Sequence, residues 1–541
     1  MKKTSLLALA LALAIFTLVT ACSSGGNVAS TTAAASTSTT AAASTTVAAG
    51  STSTTSAPGA GDGWGSAPTG VPQGSEQYLD IRPNAFQSVE SEGALTFSLK
   101  VDTAAYSNVA RYLRAGQLPP PDAVRSEELI NYFSYDAALE ASGQHPFAIY
   151  TEIGPSPFDS GRNMAFIRVR SRDIDRASLP ASNLIFLLDT SGSMNSHDKL
   201  PLLQQALTLL VETLGEDDTV GIVTYAGSSR IALRPTSDRN AILDAIDGLS
   251  AGGSTAGANG IATAYELAEA SFLEGGNNRI ILATDGDFNV GPSSTSALSE
   301  LVREKKASGI YLSILGFGTG NIRDDIMETL SKDGSGNYAY IDSLDTAKKV
   351  LVDELGANLY TIADDVKAQV EFNPQNVKSY RLIGYENRQL ENQDFADDSK
   401  DAGEVGAGTD VILLFEFEPV DAARGGEGMK YQQSAGLSQP QNATGPYADE
   451  LFEVRIRYKE PGQSESRLMT EPVTFGSYSG FSSSDYGFAC AVAAFCESLR
   501  GSAALSPDDI SAMAKANLGR DEAGYRLDFL LLLEGWRRMD W

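Results

Sequence analysis

The run Leu184-Ile185-Phe186-Leu187-Leu188-Asp189-Thr190-Ser191-Gly192-Ser193-Met194 decides how this chain is built. Its five leading apolar residues read as a strand buried on both faces, and the polar residues that follow place Asp189, Ser191 and Ser193 on the loop where that strand ends. Outward from it, residues 181–360 alternate strand and helix. Strands are predicted at Leu184–Leu188, Thr219–Tyr225, Ile231–Leu233, Ile280–Thr284, Tyr311–Phe317 and Tyr338–Ile341, with helices between them. The helix after the first loop carries Leu203, Leu207, Leu210 and Leu214 on one stripe, as a helix covering a sheet does. The alternation predicts an α/β fold with a doubly wound parallel sheet.

Two further segments supply polar residues at the same end of that sheet. Thr255 follows Gly252-Gly253-Ser254 ahead of a helical stretch, and Asp285 ends the buried run Arg279–Thr284. In an open parallel sheet the loops at the carboxyl ends of strands converge on one crevice, so three remote segments meet. Two carboxylates and three hydroxyls, with no Cys or His, suit Mg²⁺ or Mn²⁺, admit Ca²⁺ and argue against zinc. The competing reading is ordinary turn chemistry, since Ser, Asp and Gly cluster at turns.

Asp-x-Ser-x-Ser, a distant Thr and a distant Asp in this order resemble the metal-ion-dependent adhesion site of von Willebrand factor A domains. The resemblance implies that Ser191, Ser193 and Thr255 touch the metal directly, while Asp189 and Asp285 hold it largely through water. It leaves one coordination position for an acidic group on a protein partner. Outside residues 181–360, Val101–Val109, Gly116-Gln117-Leu118-Pro119-Pro120 and Arg125–Tyr132 look like the N-terminal segment of the YfbK-type bacterial lipoproteins. Arg381–Arg388 and Asp401–Gly408 look like that family's C-terminal domain. The family is defined by architecture more than by activity.

The start of the chain bears on location. Lys2 and Lys3 precede an apolar stretch, Leu6 to Val19, that is too short to span a bilayer comfortably and is followed by small residues, a secretory pattern. Val19-Thr20-Ala21-Cys22 resembles the bacterial lipoprotein cleavage box, which implies a lipidated Cys22 and a protein held to a membrane of the cell envelope, facing the periplasm or the exterior. Ordinary signal-peptidase cleavage, discarding Cys22, is the alternative. Residues 23–78, mostly Ser, Thr, Ala and Gly up to about residue 75, cannot bury a core and read as a disordered tether with an end-to-end distance on the order of 40 Å.

The remaining segments are expected to be an N-terminal family-specific part, 79–180, the von Willebrand A domain, 181–360, and a β-rich and helical part, 361–541. Strands are predicted on both sides of the central domain, at Phe147–Ile153 and Met164–Val169 before it and at Val366–Phe372, Val377–Tyr385, Val411–Pro419 and Leu451–Tyr458 after it. Two N-terminal strands cannot close a core alone, so one β-sandwich interrupted by the central domain is expected, with C-terminal helices. Cys490 and Cys496 share one helical stretch, where six residues separate them by about 9 Å along the axis. That exceeds the disulfide range of about 4.4 to 6.8 Å and predicts buried free thiols.

A net charge of −28 disfavours nucleic acid and anionic lipid as partners. Only two histidines, His145 and His197, are available as a base, and no Gly-x-Ser-x-Gly elbow surrounds Ser193. An aspartyl-phosphate enzyme would use Asp189, but the position two residues on is Ser191 instead of a second acid. Asp285-Gly286-Asp287-Phe288-Asn289 opens like a calcium loop, yet Val290 and Ser296 stand where the glycine and glutamate belong. Asp287 and Asn289 read instead as residues shaping the metal rim. Tyr525–Trp536 is too short to span a membrane and reads as a core helix. The expectation is therefore a non-enzymatic, membrane-anchored protein that binds a protein partner through a divalent cation. An envelope scaffold with a structural metal is the competing class, and a metal-dependent hydrolase the third.

Overall fold

The computed structural model describes residues 76–539 apart from 101, 137–138, 142, 176–178, 254–256, 287–294, 421–436, 438–443, 479–481 and 503–504. Cys22, the leader, the tether up to residue 75, Thr255, Asp287 and Asn289 therefore lie outside the described residues. All described residues belong to one of the chain's two units, Val71–Trp541.

The central domain is a six-stranded sheet in the order Tyr338–Ile341, Ile310–Phe317, Asn277–Thr284, Ser182–Asp189, Thr219–Tyr225, Ser229–Thr236. Every residue of Ser182–Asp189 is buried, because its two sets of alternating side chains enter two different cores. Leu184, Phe186 and Leu188 pack with Leu203, Leu207 and Leu210 of helix Leu200–Thr213. Ile185 and Leu187 pack with Ile261, Tyr265 and Ala268 on the other side. Five strands are mutually parallel, but Ser229–Thr236 runs antiparallel to Thr219–Tyr225. The doubly wound, mostly parallel sheet expected from the sequence is thus present, with one antiparallel strand at its edge. Only Ala226-Gly227-Ser228 separates the two strands, too little chain for a crossover, so they close as a hairpin on the edge. After Tyr338–Ile341 the helical chain is broken into Leu344–Lys348, a π-turn over Lys349–Asp353 and Leu355–Leu359.

Two antiparallel sheets flank this domain, and both draw strands from each side of it. One has the order Gln87–Ser88, Val377–Ile383, Asp410–Pro419, Asn163–Ser171, Phe147–Pro155. The other runs Gln389–Leu390, Ala94–Ser98, Thr361–Phe372, Glu450–Lys459, Ser466–Thr474, with Gly403–Gly406 pairing to Thr361–Phe372. Ala165, Ile167, Leu413 and Phe415 of the first share one core with Phe97, Ala368, Val370 and Val454 of the second. The intervening residues Met164, Phe166, Ile412 and Leu414 point the opposite way, onto the helices. That helical layer joins Ala104–Arg114 to Ser484–Leu499, Pro507–Ala516 and Tyr525–Arg537, with Phe529, Leu533 and Trp536 fully buried. Among the described residues no helix is long and apolar enough to cross a membrane. Cys490 and Cys496 are free and buried in one helix, and burial pushes the Cys490 thiol up to about 12.

A buried ionic network ties the central domain to these layers. Arg125 reaches Asp324 at 2.5 Å and Glu128 at 2.6 Å, while Arg388 reaches Asp102 at 2.6 Å. Asp102 also accepts the Tyr338 amide at 2.9 Å, and the Tyr338 hydroxyl donates to Asp324 at 3.0 Å. Helix Asp324–Asp333, strand Tyr338–Ile341, the N-terminal segment and the sandwich thus share one set of charges.

Candidate metal centre

Strand Ser182–Asp189 ends at Asp189, whose side chain turns back to accept the Ser191 amide at 2.8 Å. That bond closes the loop and presents the Ser191 and Ser193 hydroxyls 2.9 Å apart. Ser191 is buried and Ser193 exposed, so the pair spans from the domain interior to the surface. The loop is fixed from two sides. The Thr190 amide donates to the Tyr225 carbonyl at 2.9 Å, and a backbone pair links it to the glycine loop, Gly252 to the Thr190 carbonyl at 2.8 Å and Gly192 to the Gly253 carbonyl at 3.0 Å. Gly252 and Gly253 thus lie directly against the Asp189 loop; Thr255, two residues further on, lies outside the described residues.

Asp285 begins the turn after strand Asn277–Thr284 and is fully buried. Gly286 follows at φ +97°, and a Cβ there would stand 2.6 Å from the Ile322 Cα, so the neighbouring loop approaches as closely as backbones allow. From that loop Asn321 donates to Asp285 Oδ1 at 3.4 Å. Lys199, at the start of helix Leu200–Thr213, donates its ammonium to Asp285 Oδ2 at 2.8 Å. Both partners are buried, with side-chain exposures of 10% and 0%.

Burial pushes the Asp189 carboxyl up to about 6, the Ser191 amide and hydroxyl and the nearby Tyr225 hydroxyl pulling it back and the Asp285 charge adding to the rise. Its Oδ2 is buried with no hydrogen-bond partner among the described residues. An unsatisfied carboxylate oxygen costs roughly 1–3 kcal/mol or more, a debt that a ligand can settle. The donor set beside it fits a hard divalent cation: carboxylate oxygen and two convergent hydroxyls, all neutral or anionic oxygen. Among the described residues no three His, Cys, Asp or Glu side chains cluster as a metal site would, so hydroxyls have to supply part of any shell here. Asp189, Ser191 and Ser193 would hold the ion, with Asp285 behind them.

Two features escaped sequence reasoning. Lys199 is one. The other is a clamp on the loop that carries Asn321: Glu76 accepts the Gly320 amide at 2.8 Å, and Gln77 exchanges backbone bonds with Ile322 and Asp325 at 2.9 and 3.3 Å. Glu76 is itself held by Arg111 at 2.9 Å and by the Tyr112 hydroxyl at 2.5 Å. His197 is exposed, and His145 engages the Tyr458 hydroxyl at 3.0 Å.

Comparison with known proteins agrees with this architecture. Residues 183–353 match the von Willebrand factor type A domain, residues 72–165 a model described as von Willebrand factor, and residues 357–539 the C-terminal region of the uncharacterized protein YfbK. The uncharacterized protein YfbK of Escherichia coli K12 is 43% identical over 472 residues, covering 85% of this chain and 81% of that one. A UPF0353 protein of Mycolicibacterium paratuberculosis is 27% identical over 200 residues, covering 32% of this chain and 60% of its own. Among solved structures, a von Willebrand factor type A protein from Catenulispora acidiphila aligns over 74% of this chain and 91% of its own, at 14% identity and a TM-score of 0.40. Von Willebrand A domains commonly carry divalent-cation adhesion sites and bind proteins, which agrees with the donor set at Asp189. With a relative at that identity and coverage, the chain belongs to the YfbK family and carries a von Willebrand A domain at its centre.

Proposed function

We propose that this protein is a lipoprotein of the bacterial cell envelope, anchored through Cys22, whose von Willebrand A domain binds a protein partner through Mg²⁺ or Mn²⁺, with Ca²⁺ also admissible. The observation that carries the reading is the buried, unpartnered Oδ2 of Asp189 beside the paired Ser191 and Ser193 hydroxyls. When bound, the cation supplies a Lewis-acid position for an acidic side chain of the partner. Asp189 would supply charge, the buried Ser191 and the exposed Ser193 neutral oxygen, and Thr255 would complete the set by resemblance. The proposal assigns the chain no catalytic role.

The test is capture of partners from envelope extract in Mg²⁺ plus Mn²⁺ and again in EDTA. A partner retained only with metal, and lost with Asp189→Ala or Asp285→Ala, supports the reading. Retention that is equal in EDTA contradicts it. A second reading, an envelope scaffold whose cation only stabilises the fold, draws on the same buried Asp189 oxygen, which a structural ion would satisfy. A scaffold that uses the cation structurally would melt much higher in Mg²⁺ yet bind its partners regardless of it.

A further inference from the structure

We infer that Lys199 sets the charge of the metal-loaded site so that it accepts an anionic ligand, a specificity role that rests on the metal reading above. Asp189 and Asp285 together cancel the charge of a divalent cation. Among the described residues, the Lys199 ammonium, 2.8 Å from Asp285 Oδ2 and largely buried, brings the sum of ion, Asp189, Asp285 and Lys199 to one unit positive. One carboxylate from a partner then restores neutrality, whereas a neutral amide or hydroxyl does not. The interaction is strong because the groups are shielded from water, where charge interactions exceed their bulk values several-fold. Asp198, the nearest acid along the chain, is only partly buried and accepts the Ser196 hydroxyl at 2.5 Å, so solvent and salt screen it. Asn321, which also donates to Asp285, is neutral.

The fold holds this lysine deliberately in place. Gly318 sits at φ +72°, and a Cβ there would stand 2.2 Å from Lys199 Cε and 2.5 Å from its Cγ, so the lysine stem lies along a glycine that has no room for a side chain. The Tyr340 hydroxyl fixes that glycine through its carbonyl at 2.6 Å. Helix N-termini disfavour cations, and Lys199 stands at the start of a helix, which marks it as held for a purpose other than helix stability. The same ammonium repels the metal it accompanies. Lys199 therefore weakens cation binding and strengthens carboxylate binding, two effects of opposite sign that a purely structural salt bridge does not produce.

The test uses the full chain in detergent, with Mn²⁺ as the metal and acetate as the anionic probe. Mn²⁺ affinity is read from the free-ion electron paramagnetic signal, and acetate binding from the loss of water-proton relaxivity as it displaces metal-bound water. Lys199→Gln keeps a hydrogen-bond donor for Asp285 and removes the charge. It should bind Mn²⁺ more tightly and acetate more weakly, each on the order of tenfold, while Lys199→Arg stays near the wild type in acetate affinity. Gly318→Ala, which displaces the lysine without altering it, should follow Lys199→Gln. If Lys199→Gln binds Mn²⁺ more weakly, or binds acetate as the wild type does, the charge role is wrong and the pair is a structural pin. If the wild type binds no Mn²⁺ at all, the metal reading itself fails, a result distinct from either of these.

Discussion

Asp189 is a buried carboxylate with one oxygen bonded and the other not, and its stability consequences follow with a definite sign. Its carboxyl is pushed from an ordinary 3.8 up to about 6, with burial as the largest cause. Between those values the folded chain keeps a proton that the unfolded chain has released, so metal-free stability falls as pH rises through that window. About two pKa units correspond to about 3 kcal/mol, lost in full above about pH 6. Asp189→Asn should therefore raise the unfolding free energy of the EDTA-treated protein by about 1–3 kcal/mol at pH 8 and change it little at pH 4, as read by urea titration. In saturating Mn²⁺ that advantage should vanish, because only the wild type gains binding energy. The residues of this site differ in how legible they were. Asp189, Ser191 and Ser193 announce themselves by spacing within one loop, whereas Lys199 meets Asp285 from 86 positions away. Its one local signal is a cation at the start of a helix, against the dipole.

Among the elements, the loop Gly318–Arg323 links the site to the N-terminal segment. It places Asn321 on Asp285, lays Gly318 along Lys199, and is itself gripped by Glu76 and Gln77. Removing the Glu76 carboxylate leaves Arg111 and the Gly320 amide without that partner, a loss of roughly 1–3 kcal/mol confined to this loop. Glu76→Ala should speed amide exchange in residues 318–325 by on the order of tenfold or more while leaving the strand Ser182–Asp189 protected. Uniform acceleration through the central sheet would show that the clamp serves global stability instead. Elements were legible in proportion to their burial. Ser182–Asp189 and Asn277–Thr284 are buried throughout and read from their apolar runs alone. Ser229–Thr236 is an edge strand with no fully buried residue, so only its central three residues stood out. Ala94–Ser98, Gly403–Gly406 and Ser466–Thr474 went unread because they are short, glycine-bearing or mostly polar and exposed.

At the scale of the whole molecule, the sandwich depends on chain from both sides of the central domain. Thr361–Phe372 lies between Ala94–Ser98 and Glu450–Lys459, and Asp410–Pro419 between Asn163–Ser171 and Val377–Ile383. The pairing was inferable because two N-terminal strands needed partners, but the ionic network that locks it was not, since Asp102, Arg125, Asp324 and Arg388 share no local pattern. Within this network Glu127 is fully committed to burial, with Oε2 unpartnered and Glu386 and Glu128 as neighbouring charges. Burial raises its carboxyl above the usual range, so the stability it contributes is present at acid pH and lost as pH rises through its folded value. Glu127→Gln should leave the melting temperature unchanged near pH 4 and raise it by several degrees at pH 9. The proposed site is nonetheless local, a divalent cation among Asp189, Ser191 and Ser193. Crystals of the protein soaked in Mn²⁺ and measured for anomalous scattering address it most directly. One peak is expected within coordination distance of Ser191 and Ser193, facing the Oδ2 of Asp189 and absent in Asp189→Ala. No peak there, with Mn²⁺ bound elsewhere or not at all, would contradict it.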